Sequence, residues 1–308
     1  MSALKPDKLP NGDTHHRAEA LAADLPPLLV AAERVASTIS QGVHGRRRVG
    51  QGETFWQFRR YEFGDTVQHI DWRRSARSDP LYIRETEWEA AQSVWLWRDG
   101  SPSMNFRSRG NLETKRQRAD LLLLALASLL IRGGERTALL ETGMIPASGR
   151  AVMHQLWRML ENGHVPNGIT DNSLPGLDPL PRYARVVMIG DFLSPFDEIE
   201  AMVEAYAGRG IRGHLIQVLD PAEEQLPYDG RVLFEGPEAE GEVLIPHVES
   251  LRDAYQGELA RHRDDLRALA SRAGWSFAFH HTDHAAEGPL MALYLQLSET
   301  VMAGTGRG

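Results

Sequence analysis

The chain has 308 residues, 42% hydrophobic and 25% charged, with no cysteine and a formal net charge of −8. That length holds one large α/β domain or one domain with a small appendage, and the missing thiols exclude a disulfide framework, a cysteine nucleophile and a Cys-ligated zinc site. Residues 1–93 balance 13 basic against 13 acidic side chains, so the remainder carries the whole net charge, which argues against a phosphate backbone and so against a nucleic-acid partner.

Residues 1–20 are polar and proline-bearing and read as a disordered tail without the apolar core of a signal peptide. The next stretch, 21–92, reads as a helix followed by a small β-rich segment. Leu28, Leu29, Ala32, Val35, Ala36 and Ile39 recur at helical spacing, and Pro26-Pro27 sets the helix start. The Arg46-Arg47-Arg48 run reads as a solvated loop. Strand-like runs near Thr54–Tyr61 and Leu81–Trp88 flank the turn Phe63-Gly64-Asp65. Ten of the chain's 23 Phe, Trp and Tyr residues fall between Phe55 and Trp97, interleaved with arginines and with enough carboxylates to neutralise them. An arginine–carboxylate and aromatic packing network follows from that mixture, rather than a base-stacking surface.

From residue 93 to about 300 strands and helices alternate. Strands are expected at Ser93–Arg98, Thr137–Glu141, Ala184–Ile189, Gly213–Leu219 and Trp275–His280. Helices are expected at Glu113–Arg132, Ala151–Glu161, Asp197–Ala207 and Val248–Ala273, with a last one containing Met291–Leu297. Val232–Phe234 and Val243–Ile245 suggest a hairpin, and residues 301–308 a flexible end. This order implies an α/β fold with a doubly wound, mostly parallel sheet. The longest apolar run, Ala119–Ile131, spans 13 residues and contains Asp120. It is too short for a bilayer and reads as a buried helix, so a cytoplasmic protein without direct membrane insertion is expected.

The first of these strands stops abruptly at Asp99-Gly100-Ser101-Pro102-Ser103. Asp, Gly, Ser and Pro are common turn residues, but one carboxylate and two hydroxyls on a short loop are also all-oxygen donors suited to a hard cation. In a doubly wound sheet, ligands bind outside the carboxyl ends of the strands. Asp191, closing the apolar strand before it, should reach the same edge, and the polar loop Gly168-Ile169-Thr170-Asp171 could add a third hydroxyl. Enzyme templates fit less well. No G-x-S-x-G elbow or G-x-x-x-x-G-K-[ST] phosphate loop occurs. His280, His281 and His284 end the last strand, and as neighbours on a strand His280 and His281 point to opposite faces and do not share a metal.

The ordered series Gly50-Gln51-Gly52-Glu53, Phe58-Arg59-Arg60-Tyr61, Gly64-Asp65, Ile70-Asp71-Trp72, Ala76-Arg77, Glu87 and Asp99-x-Ser101-x-Ser103-Met104 resembles the domain of unknown function 58 family, bacterial proteins typically encoded beside MoxR-type AAA+ ATPases. The resemblance implies a von Willebrand factor type A-like fold with a metal-ion-dependent adhesion site. On that reading Asp99, Ser101 and Ser103 form its first loop, Thr170 its second and Asp191 its third, and they hold Mg²⁺ or Mn²⁺. Arg98 and Gly190 depart from the pattern, which usually has an apolar residue and a serine there, and the N-terminal membrane helices of many relatives are not seen. The function implied is a non-enzymatic interaction module that captures an acidic protein client alongside a MoxR-type ATPase, in complex assembly or metal insertion. A metal-dependent hydrolase using the Asp99/Asp191 rim and a metal-free scaffold are the alternatives. A hydrolase would need a general base beside the rim, and the only histidines at a strand end there are those of the last strand.

Overall fold

The structure, a computed structural model, describes residues 27–43, 54–60, 81–87, 92–162, 172–236 and 241–304. The presumed N-terminal tail, the Arg46–Arg48 run, the Phe63-Gly64-Asp65 turn and Thr170 lie outside them.

Seven helices and nine strands are described. In chain order they are α1 (Pro27–Val43), β1 (Thr54–Arg60), β2 (Tyr82–Glu87), β3 (Ser93–Arg98), α2 (Lys115–Arg132), β4 (Arg136–Leu139), α3 (Arg150–Asn162), β5 (Arg185–Gly190), α4 (Phe196–Gly208), β6 (Arg212–Leu219), α5 (Pro221–Gln225), β7 (Val232–Glu235), β8 (Glu242–Ile245), α6 (Arg252–Arg272), β9 (Ser276–His281) and α7 (Glu287–Gly304). β1 pairs antiparallel with β2, and β7 with β8. The other five strands form one all-parallel sheet in the order β4-β3-β5-β6-β9.

Helices cover both faces of that sheet, because its strands alternate two apolar sets. Val94, Leu96, Val187, Ile189, Ile216 and Val218 face α1, α2, α3 and α7. Trp95, Trp97, Val186, Met188 and Leu215 face α4 and α6 through Ile199, Met202, Tyr206, Leu266 and Leu269. α2 is buried along almost its whole length, from Ala119 to Leu130, sandwiched between the sheet and α1, which is why it is apolar all round. Its polar exceptions have partners: Ser128 Oγ donates to Glu33 Oε1 of α1 at 2.8 Å, and Arg132 pairs with the same carboxylate.

Two sequence expectations shift. Val248–Ala273 is not one helix: a 3-10 turn at Val248–Ser250 precedes α6, and the buried Val248 anchors that turn. The short α5 was unforeseen, although Asp220-Pro221-Ala222-Glu223 is a capping-box signature and makes both of its reciprocal bonds. Among the described residues no helix is long and apolar enough to cross a membrane.

The chain runs from β3 outward to β4, then returns across β3 to β5 and proceeds the other way. The order therefore reverses between the carboxyl ends of β3 and β5, where sheets of this kind leave a crevice. Asp99 follows β3 directly and Asp191 follows β5.

Candidate functional site

Asp99 prolongs the ladder by one bond, its N–H donating to Ile189 O of β5 at 2.9 Å. The chain then turns, and the turn is tied to the carboxylate: Ser101 N–H donates to Asp99 Oδ1 at 2.8 Å. Pro102 opens a 3-10 turn over Pro102–Asn105 whose Met104 is fully buried. That anchor holds Ser101 and Ser103 inward, with their hydroxyls 2.9 Å apart. Ser103 Oγ donates to Asp191 Oδ2 at 2.7 Å. A hydroxyl has one hydrogen, so Ser101 is the donor of the Ser–Ser bond.

The third loop is held as firmly. Asp191 Oδ1 accepts from Leu193 N at 3.2 Å, and the Asp191 carbonyl accepts from Gln217 Nε2 at 2.9 Å. Phe192 takes φ 49° while fully buried, a left-handed conformation that costs an L-residue free energy and survives only where its surroundings impose it. His262 Nε2 lies 2.6 Å from the Phe192 carbonyl and contributes to that constraint. Gly190 has a different reason to be glycine. A Cβ there would lie 2.8 Å from Asp99 Cβ and 3.0 Å from Asp99 Oδ2, so the close approach of the two loops leaves no room for a serine.

Asp99, Ser101, Ser103 and Asp191 are thus brought together. Thr170 lies outside the described residues, but the chain re-enters beside the site, Gly100 N–H donating to Asn172 O at 3.3 Å.

One member of the site had no place in the sequence reading. Lys115, the first residue of α2, is fully buried and places Nζ 2.9 Å from Asp191 Oδ2 and 2.6 Å from Glu223 Oε1 of α5. A cation in the first turn of a helix opposes the helix dipole, an unfavourable placement that these two carboxylates offset. Burial alone would lower its pKa, but Asp191 and Glu223 outweigh burial and hold it above the ordinary lysine value. Burial pushes the Glu223 carboxyl up, against the pull of Lys115.

Asp99 is the electrostatic oddity. Burial, then the negative charge of Asp191, raise its carboxyl from 3.8 to about 7, against the hydrogen bonds from Ser101 and the charge of Lys115. Its Oδ2 is buried without a hydrogen-bond partner. A buried acceptor left unpaired is costly, and this one belongs to the loop that carries Ser101 and Ser103, with the Asp191 charge near enough to raise its pKa. The donor set is all oxygen, the chemistry that Mg²⁺ and Mn²⁺ accept, so the residues fit such an ion.

The sequence profile of the family described as "Protein of unknown function DUF58" matches residues 57–265. The chain belongs to the DUF58 family. Uncharacterized proteins of Mycobacterium tuberculosis and Mycobacterium bovis are each 29% identical to it over 275 residues, covering 85% of both chains. Among solved structures, the DUF58 chain is similar to the conserved hypothetical protein BatB from Bacteroides thetaiotaomicron, at 14% identity and a TM-score of 0.38 over 70% of this chain and 100% of that one. An aerotolerance-related membrane protein from Bacteroides fragilis matches at 14% identity and a TM-score of 0.40, over 68% of this chain and 100% of that one. Neither likeness is close enough to bear on function.

The two other oddities of the DUF58 chain explain each other. Arg98, the charged end of β3, places Nε 2.9 Å from Oδ1 of Asp120, the carboxylate inside the apolar run of α2. Arg98 Nη1 also donates to the Asp99 carbonyl at 3.0 Å, so this ion pair braces the first loop from beneath.

Proposed function

We propose that the chain is a non-enzymatic protein-interaction module with a von Willebrand factor type A-like fold and a metal-ion-dependent adhesion-type site. Asp99, Ser101, Ser103 and Asp191 would hold Mg²⁺ or Mn²⁺, with Thr170 supplying a further hydroxyl. The observation that carries this reading is the buried Asp99 Oδ2 without a hydrogen-bond partner, on the same rim as the linked Ser101, Ser103 and Asp191, at the switch point of the sheet. The bound ion would supply an open coordination position for an acidic side chain of a partner. The protein's own residues orient the ligands: Ser101 N–H fixes Asp99, Leu193 N–H fixes Asp191, and Gly190 lets the two loops approach. A MoxR-type AAA+ ATPase as the working partner, and complex assembly or metal insertion as the setting, rest on the family resemblance.

One observation favours a second reading, a metal-free scaffold: the Lys115 ammonium already pairs with both Asp191 and Glu223. Co-purification with the neighbouring ATPase, with and without chelator and with Asp99→Ala, separates the two. The adhesion reading expects capture that chelator and Asp99→Ala both abolish, with a thermal midpoint that millimolar Mg²⁺ raises in the wild type alone. Capture indifferent to both would leave the scaffold.

A further inference from the structure

The turn leaving β9 carries His281-Thr282-Asp283-His284 at the carboxyl end of the sheet's edge strand. We propose that this turn is a second, independent metal site that takes a borderline first-row divalent ion such as Zn²⁺, with His281, Asp283 and His284 as ligands. One donor atom from each of the three lies within 4.8 Å of the others. Two imidazoles and a carboxylate select such ions over Mg²⁺, which prefers oxygen alone.

The turn is built rather than loose. His284 N–H donates to His281 O at 3.1 Å, closing it. Arg118 of α2 clamps it from outside, donating to Thr282 O at 2.7 Å and to His284 O at 3.0 Å. The imidazole of His281 is oriented on three sides. It meets the Phe279 and His284 rings edge-on, with centroids 4.5 and 5.2 Å away, and sets Nε2 2.6 Å from Glu224 Oε2. Arg263 holds the other oxygen of that carboxylate at 2.7 Å. The carboxylate lies against the ring without a hydrogen bond from it, so it holds the ring by charge and close packing alone. His280, its neighbour on the strand, is buried and takes no part in the cluster.

Protonation and charge are compatible with binding. Burial holds His281 below the ordinary histidine range, against the pull of Glu224, so the ring is a neutral ligand near neutral pH. The nearest cations are already engaged, Arg263 by Glu224 and Arg118 by Glu113 at 2.9 Å. Metal–ligand bonds of about 2.0–2.1 Å place ligand atoms roughly 3–3.5 Å apart. The cluster must therefore contract by about an ångström, and the exposed His284 and Asp283 side chains, 67% and 41% accessible, are free to do so.

The test uses the full chain without a polyhistidine tag, stripped with chelator. Zn²⁺ is titrated by calorimetry, and Co²⁺ by its visible absorption. The expected result is one equivalent of Zn²⁺ whose affinity falls at least tenfold in His284→Ala, where one of the three ligands is lost, with matching loss of the Co²⁺ bands. Asp99→Ala keeps that equivalent, which separates this site from the Asp99–Asp191 rim. His284→Ala alters an exposed side chain, and an unchanged circular dichroism spectrum confirms that its fold is intact. No Zn²⁺ binding in the wild type, or equal affinity in His284→Ala, would overturn the proposal.

Discussion

Lys115 Nζ sits 2.9 Å from Asp191 Oδ2, with both side chains out of solvent. The ammonium thus lies against the same carboxylate that the proposed adhesion site assigns to a divalent ion. Two cations drawn to one carboxylate compete unless the site rearranges, so Lys115 should lower the intrinsic affinity for metal while stabilising the metal-free state.

Lys115→Met separates these two effects. Breaking a buried ion pair by removing one partner costs about 3–5 kcal/mol, because Asp191 and Glu223 are left buried together. The variant should melt well below the wild type in chelator and be rescued more strongly by Mg²⁺, with tighter binding by calorimetry. An equal Mg²⁺ response in both proteins would mean that ammonium and metal do not contend for Asp191.

The raised Asp99 carboxyl, at about 7, has a signed consequence. Between about pH 4 and pH 7 the folded chain keeps a proton that the unfolded chain releases, so stability falls as pH rises through that window. Asp99→Asn removes the titration. In chelator at about pH 8 it should be more stable than wild type by on the order of a few kcal/mol, and nearly equal at about pH 4. Chemical denaturation across that range measures it. Wild-type stability that does not fall through the window would show that Asp99 ionises without strain.

The α/β architecture and the meeting of the β3 and β5 ends were legible in the sequence for one physical reason. A buried parallel strand must be apolar and must stop where its backbone leaves the sheet, so Trp95–Arg98 then Asp99, and Val186–Gly190 then Asp191, announce their own geometry. Lys115 was illegible because its meaning lies in partners far along the chain, Asp191 and Glu223. Arg98 and Asp120 each looked anomalous alone, since no local periodicity links a strand end to a helix interior. The small α5 escaped because five residues are too few for a periodic pattern, though its capping box was written out.

Gly190→Ala tests how closely the two loops must approach. Its Cβ would collide with Asp99 Cβ at 2.8 Å, an atom fixed to the backbone that no rotamer change can move. A loss of about 1–3 kcal/mol is expected, together with loss of the Mg²⁺-dependent shift as Asp99 is displaced. Gly208→Ala in α4, where a Cβ meets nothing within 4 Å, is the control and should gain up to about 1 kcal/mol. A Gly190→Ala protein with unchanged midpoint and unchanged Mg²⁺ response would show that the loops have slack.

The Arg98–Asp120 pair should be asymmetric under mutation. Burial raises the Asp120 carboxyl to about 6 against the pull of Arg98; stripped of its partner it can take up a proton and become neutral. The guanidinium cannot shed its charge at any relevant pH. Asp120→Leu therefore strands an obligate buried cation and should cost about 3–5 kcal/mol, whereas Arg98→Leu should cost less, because the carboxyl, freed from the Arg98 pull that lowers it, takes up a proton more readily. The double variant should recover most of the Asp120→Leu loss, a coupling that a double-mutant cycle in urea reads directly. Arg98→Leu also removes the donor to the Asp99 carbonyl, so it should weaken Mg²⁺ binding although Asp120→Leu leaves that donor in place. Small and equal costs for the two single variants would show instead that solvent reaches the pair, and unchanged Mg²⁺ affinity in Arg98→Leu that the first loop stands without it.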